Sequence, residues 1–340
     1  MRRLFERPLF WPLLALLVLL IANGLFNPGF LAVQIRDGHL YGTLVDIANR
    51  AAPLALVSLG MTLVIAVRGL DISVGAVLAI AATVAVWTIT RLGAEGGESL
   101  LPLLAAMGAA LGVATLCGLW NGMLVVKVGM QPIVATLILM VAGRGFAQLI
   151  SDGQILTVYD TSYAFLGRGF LFGLPFALFV VAAVFIALQL LLTRTALGLF
   201  VRAIGENPQA AHMAGVRART LTPALYAFCG FCAGMAGLLV SSNVASADAN
   251  NAGQLLELDA ILAVSLGGSA LAGGRFSLAG TLVGALIIQS LTTTIYSIGV
   301  PPQVNLLVKA VLVIGVLLLQ APRFRSQMLS LLRRPARAGA

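Results

Sequence analysis

LFWPLLALLVLLIANGLF, residues 9–26, runs for eighteen positions without a charged side chain. About 20 such residues span a hydrocarbon core of about 30 Å, so the run has the length of a membrane helix. Lipid offers no hydrogen-bond partners, and a helix satisfies every backbone group within the segment. A barrel strand would alternate apolar and polar positions, and this run does not.

The rest of the chain repeats the pattern. Of its 340 residues 60% are hydrophobic and only 10% charged, and the mean hydropathy is +1.02. A soluble domain is nearer one quarter charged, and a soluble surface this apolar would aggregate. Ten candidate helices follow, at 9–26, 47–67, 71–90, 100–126, 131–150, 172–193, 220–242, 257–272, 276–298 and 303–320. The second and third are joined by Arg68, Gly69 and Leu70, and the eighth and ninth by Gly273, Gly274 and Arg275. Both pairs read as tight hairpins. The eighth segment is short and Gly-rich, which points to a broken or re-entrant span. The predicted fold is all-α, one transmembrane domain over 1–340.

The formal charge of +9 reads as a topology signal rather than as nucleic-acid binding. With the N-terminus in the cytoplasm, alternation puts 15 of 21 basic residues on the inner side. They include Arg2, Arg3, Arg7, Arg68, Lys127, Arg194, Arg202, Arg217, Arg219, Arg275 and the arginines of the tail 321–340. Nine of twelve acids, which took no part in the assignment, fall outside or at an outer helix end. Both termini are expected in the cytoplasm, with anionic lipid as a secondary contact for the basic segments. Arg2, Arg3 and Arg7 before an apolar run resemble a signal peptide, but the run is long and lacks a small-residue cleavage site. It reads as an uncleaved first helix.

Several chemistries are missing. The only lysines are Lys127 and Lys309, and no Walker A motif surrounds either, so this chain is not expected to hydrolyse ATP itself. No zinc-protease or nucleophile-elbow motif occurs. No catalytic residue, metal site or cofactor is expected in this chain. His39 and His212 fall on opposite sides of the membrane in this topology. Cys229 and Cys232 form a C-x-x-C inside an apolar helix, where small packing residues are the simpler reading. Acids sit at helix ends (Asp46, Asp71, Glu257, Asp259), whereas ion-coupled carriers bury carboxylates near the midplane. G-x-x-x-G pairs at Gly108–Gly112, Gly118–Gly122, Gly230–Gly234 and Gly280–Gly284 read as close helix contacts. Val57-Ser58-Leu59-Gly60 recurs as Val264-Ser265-Leu266-Gly267, one copy in each hairpin, a hint of an internal repeat.

Four stretches, in order, resemble the sugar permeases of bacterial ABC importers of the ribose and galactose type. They are SLGMTLVIAVRGLDISVGAV (58–77), NGMLVVKVGMQPIVATLILMVAGRG (121–145), TALGLFVRAIGENPQAAHMAGV (195–216) and ELDAILAVSLGGSALAGGRFSLAGTLVGALI (257–287). DIANRAAPLALVSLGMTLVIA, ATLILMVAGRG and ADANNAGQLLELDAILAV are most similar to permeases of galactofuranose importers. Ile133 follows Pro132 where a Phe is common in the family. The resemblance implies the bacterial inner membrane and a monosaccharide, with galactofuranose first. It also implies a periplasmic sugar-binding protein, a second permease (the same or a different chain) and an ATPase carrying ATP and magnesium. A permease for another sugar or a branched-chain amino acid is the near alternative, and an ion-coupled carrier the distant one.

Three groups of residues are candidates for function. The loop 194–219 carries Arg202, Gly205, Glu206, Asn207, Ala210, Ala211 and Gly215 around a short helix-turn. It reads either as a solvated basic loop or, through the resemblance, as the segment that docks in the ATPase. Gly215 has the position to end that helix. Asn121, Gln131, Thr136, Arg144, Gln148, Ser265 and Gln289 are polar residues inside spans, read either as pathway wall or as interhelical hydrogen bonds. Arg144, a charge in a span, favours function or pairing. Asp152, Asp160, Asp248 and Glu257 form an outer acidic set, read either as docking points for the binding protein or as ordinary loop acidity. Asp71 is expected to cap the third helix and Arg68 to pair with it.

Overall fold

The computed structural model describes residues 9–26, 29–36, 38–92 and 100–297, with scattered positions between 299 and 315. The arginine cluster at 2–7, most of the tenth predicted span and the tail 321–340 lie outside them. The helices are α1 Phe10–Phe26, α2 Thr43–Ala66, α3 Val74–Arg91, α4 Leu100–Met123, α5 Pro132–Ile150, α6 Thr161–Arg168, α7 Phe176–Arg194, α8 Leu197–Glu206, α9 Pro208–Met213, α10 Ala218–Val244, α11 Leu256–Leu266 and α12 Leu278–Ser297. Among the described residues α2, α3, α4, α5, α7, α10 and α12 are long and apolar enough to cross a membrane. They answer to seven of the ten predicted spans, and α1 is a shorter apolar helix.

The eighth segment, expected to be short and broken, is a short helix. α11 has 11 residues, about 16 Å of helix, or half a bilayer core. The residues after the two Val-Ser-Leu-Gly stretches explain why. After Gly60, α2 continues through Met61-Thr62-Leu63-Val64-Ile65-Ala66, all helix-compatible. After Leu266 the chain reads Gly267-Gly268-Ser269-Ala270, and Gly268 has φ +81°. Two adjacent glycines make helix propagation costly and left-handed backbone cheap.

α2, α3 and α10 form the buried centre, while α4 and α7 turn most of their apolar side chains outward, Leu116, Trp120, Leu190 and Leu191 among them. Lipid is as apolar as these side chains, so close backbone packing must hold the helices together. Gly118 of α4 lies against the Tyr226 carbonyl of α10, and Gly230 of α10 lies against the Ala114 carbonyl of α4. A Cβ at either would sit 2.2–2.3 Å from the facing oxygen. Gly280 and Gly284 press on Gly267 and Ala263 in the same way. The Gly108–Gly112 pair is the exception, since both face open space among the described residues.

Short strand pairs tie the loops on one face. β1 (Gln34–Arg36) pairs with β2 (His39–Tyr41), and β4 (Phe170–Leu171) with β5 (Leu174–Pro175). β3 (Leu156–Thr157), after α5, pairs with β6 (Ser246–Ala247), after α10. The Leu40 amide donates to the Gly173 carbonyl, joining the first two hairpins. The opposite face gathers the α2–α3 turn, α8, α9 and the turn at 273–274.

Candidate coupling junction and outer loop

On the second face three chain segments meet at one point. α2 ends at Ala66, whose carbonyl accepts from the Gly274 amide at 2.9 Å. Gly205, in the last turn of α8, is buried beside both: a Cβ there would lie 2.0 Å from the Ala66 oxygen and 2.3 Å from the Gly274 nitrogen. Arg68 crosses the junction. Its Nε donates to the Gly205 carbonyl and its Nη2 to the Glu206 carbonyl, both at 2.6 Å. These are carbonyls of a helix C-terminus, free of intrahelical donors and carrying negative partial charge, so a guanidinium suits them. The expected Arg68–Asp71 pairing is therefore corrected, since the carbonyls of α8 take the guanidinium instead.

α9 follows at once. The Asn207 side chain accepts from the amides of Gln209 and Ala210 at 3.0 and 3.1 Å, a standard N-cap. At the other end Gly215 adopts φ +83°, with its amide on His212 and the Val216 amide on Ala211. That pair of bonds closes a Schellman motif. Ala211 points inward, beside Val201, Ile204 and Leu225. Gly205 and Ala211 are thus packing residues, and neither presents a side chain to a partner. The exposed positions are Arg202, which stacks on Phe276 at 5.5 Å, then Glu206, Asn207 and Ala210. Met213 is 89% exposed at the end of α9. Beside it a cavity of about 460 Å³ is lined by Pro208, Gln209, His212 and Arg217 to Thr220.

The seven polar span residues fall in different places. Asn121 is buried and donates to Ser73 Oγ at 2.8 Å and Asp71 Oδ1 at 3.4 Å. Asp71 Oδ1 also accepts from the amide and hydroxyl of Ser73, at 3.0 and 2.6 Å, so it does serve the start of α3, through Ser73. Thr136 is buried and accepts from the Ile72 amide at 3.3 Å. Asn121 and Thr136 are therefore interhelical ties around the α2–α3 turn. Gln131 is exposed at the start of α5, while Ser265 and Gln289 are half-buried on α11 and α12.

Arg144 and Gln148 come together with the loop after α10. Arg144 Nη1 donates to the carbonyls of Ala249 (3.3 Å), Asn250 (3.2 Å) and Ala252 (2.6 Å). Gln148 donates to the Asn250 side chain. The loop then folds onto α3: Gly253, at φ +65°, packs on the backbone of Gly75. Asp248 accepts from the Asn251 side chain at 2.7 Å and from the amides of Asn250 and Asn251. Those bonds, the Asn251 side chain first, hold its carboxyl below the ordinary Asp value, and the nearby Arg144 adds to this. Sequence order pointed to the acids of this loop, whereas its carbonyls are what Arg144 holds.

Two docking candidates are corrected. Asp160 is 5% exposed and caps α6, accepting from the Tyr163 amide at 2.8 Å. Glu257 is 5% exposed, on the first turn of α11 against Gly75. Asp152 remains exposed and Asp248 half-exposed. Replacing Asp160 by Ala is expected to cost about 1 kcal/mol through the lost cap, about 2 °C in thermal midpoint; an unchanged midpoint in a thermal scan would mean that Asp160 does not cap α6. Among the described residues no group of three His, Cys, Asp or Glu is placed to hold a metal ion.

An apolar bundle of membrane-length helices, with its polar groups collected at a junction on one face and a loop towards the other, is the build of a multi-pass membrane permease. The chain belongs to the family described as branched-chain amino acid transport system / permease component, whose model matches residues 43–317. It is 49% identical, over 96% of its length and 93% of the relative's, to the galactofuranose transporter permease protein of Escherichia coli (strain K12). It is 36% identical to the fructose import permease protein of Bifidobacterium longum (strain NCC 2705), over 98% of this chain and 94% of that one. It is 34% identical to the ribose import permease protein of Bacillus subtilis (strain 168), over 91% of each. No solved structure gives a significant match.

Proposed function

We propose that this chain is the membrane permease of an ATP-driven importer that carries galactofuranose across the bacterial inner membrane. The observation that carries this reading is the 49% identity with a galactofuranose permease across nearly the whole chain. The face bearing Arg68, Arg202, Arg217 and Arg275 is cytoplasmic, following the positive-inside rule. α9 and its exposed Met213 dock in an ATPase that supplies ATP and magnesium. A periplasmic sugar-binding protein delivers the sugar at the opposite face, towards the loop that Arg144 holds. A second permease, the same chain or another, completes the pathway. The chain itself makes and breaks no bonds.

The test is co-expression with the cognate ATPase, detergent purification, and reconstitution with the loaded binding protein. Wild type is expected to hold the ATPase and to take up galactofuranose in preference to ribose and fructose, only with ATP. Met213→Asp is expected to lose the ATPase at unchanged thermal midpoint, because it places a charge where an exposed thioether meets a partner. Sugar movement by the wild-type chain with no ATPase bound would replace the ABC reading by a carrier or channel. Preference for ribose or fructose would move the substrate assignment alone.

A further inference from the structure

Arg68 is exposed, yet it stands at the meeting point of three segments far apart in sequence. It is one of few non-glycine residues in left-handed backbone, at φ +65°. That conformation is uncommon for a side chain with a Cβ, and here it follows directly on the end of α2. The guanidinium reaches away from its own hairpin to the last carbonyls of α8. The second hairpin closes on the same point. Gly274 donates to Ala66, two residues before Arg68, and the Gly273 Cα lies so near the Arg68 stem that a Cβ there would come within 2.6 Å of Arg68 Cγ. Gly273 and Gly274 have φ +92° and +83°, a turn open to glycine at little strain. The α8–α9 segment thus rests on the ends of both hairpins, and Arg68 is the side chain that binds them with charge-assisted hydrogen bonds.

We propose that Arg68 is a positioning residue that makes α8–α9 and the two hairpin turns move as one body, so that movement imposed on α9 reaches α2–α3 and α11–α12. This rests on the reading of the chain as an ATP-driven permease with α9 at the ATPase. The mechanical logic is that coupling needs elements that shift together. Without Arg68 the α8 end keeps its packing at Gly205 but loses the two bonds that clamp it to the first hairpin. The ATPase would still dock and cycle on α9, and its stroke would be transmitted poorly.

The experiment measures two quantities on the reconstituted complex of permease, ATPase and loaded binding protein: ATP hydrolysis, and sugar delivered per ATP. For Arg68→Ala, ATPase binding and hydrolysis are expected to stay within about twofold of wild type, while sugar delivered per ATP falls about tenfold, inside the usual range of coupling between sites. Arg68→Lys keeps the charge but lacks a fork to hold two carbonyls, and is expected to recover only part of the ratio. A merely structural role would lower thermal midpoint and both activities together. An unchanged ratio in a folded Arg68→Ala complex overturns the proposal, as does loss of ATPase binding at unchanged midpoint, which would make Arg68 a docking residue. Should Arg68→Ala not fold, Arg68→Lys decides: a wild-type ratio overturns the link, and a reduced ratio supports it. Absence of ATP-driven uptake in the wild-type complex would instead defeat the permease assignment itself.

Discussion

Gly205→Ala is expected to destabilise the protein by about 4 kcal/mol, the sum of overpacking and one lost backbone hydrogen bond. That corresponds to a fall of about 10 °C in thermal midpoint. The added methyl would lie 2.0 Å from the Ala66 oxygen, 2.3 Å from the Gly274 nitrogen and 2.7 Å from the Gly274 Cα. All three are backbone atoms, so no side chain can swing aside. The methyl must part α8 from both hairpin ends, breaking the Gly274–Ala66 bond that closes the junction. Gly215→Ala is the control. Gly215 has φ +83° with open space around it, so its cost is left-handed strain alone, about 1 kcal/mol. Thermal scans of both variants in one detergent check the contrast. A Gly205→Ala midpoint no lower than that of Gly215→Ala would mean that the junction is not closed as described. The same geometry makes any larger residue at 205 a folding variant, so loss of ATPase from such a variant says nothing about docking.

Arg144→Met is expected to lower sugar uptake at least about tenfold in the reconstituted complex, since one hydrogen bond to a charged group contributes about 1.5–3 kcal/mol and 1.4 kcal/mol is tenfold in population. Three carbonyls of the 249–252 segment share the Nη1 of Arg144. Methionine keeps the apolar stem of the side chain but offers no donor. The loop would keep only the Gln148–Asn250 bond to α5, with Gly253 on Gly75 and the β3–β6 pair as its other anchors. Hydrogen exchange over 246–255 is expected to quicken in step with the loss of uptake. Arg144→Gln separates donor from charge: partial rescue by Gln assigns the effect to the carbonyls, and none assigns it to the charge near Asp248 and Glu257. Uptake and exchange both at wild-type levels in Arg144→Met would remove the residue from the transport path.

How much of this was legible in the sequence depends on the range of the interaction. Membrane residence, the seven long spans and the grouping of Arg68, Arg202 and Arg275 on one face follow from composition and charge order, because lipid enforces continuous apolar length and the charges mark the loops. The caps at Asn207 and Gly215 are local rules, readable within four residues. The family is carried by four motifs in order and by 49% identity with one relative. Other features needed the tertiary structure. Asp160 and Glu257 read as surface acids, and only packing showed them buried. Gly205 and Ala211 look like members of a docking loop, yet they face inward, because a helix in a loop still has a buried side. Arg68 appeared to have Asp71 three residues away, and its partners lie 137 and 138 positions along the chain. The sequence by itself determined the solvent, the helices and the family, since each is set by local composition. The structure decided which carbonyls the two arginines hold and which glycines bear the junction, since those contacts exist only where distant segments meet.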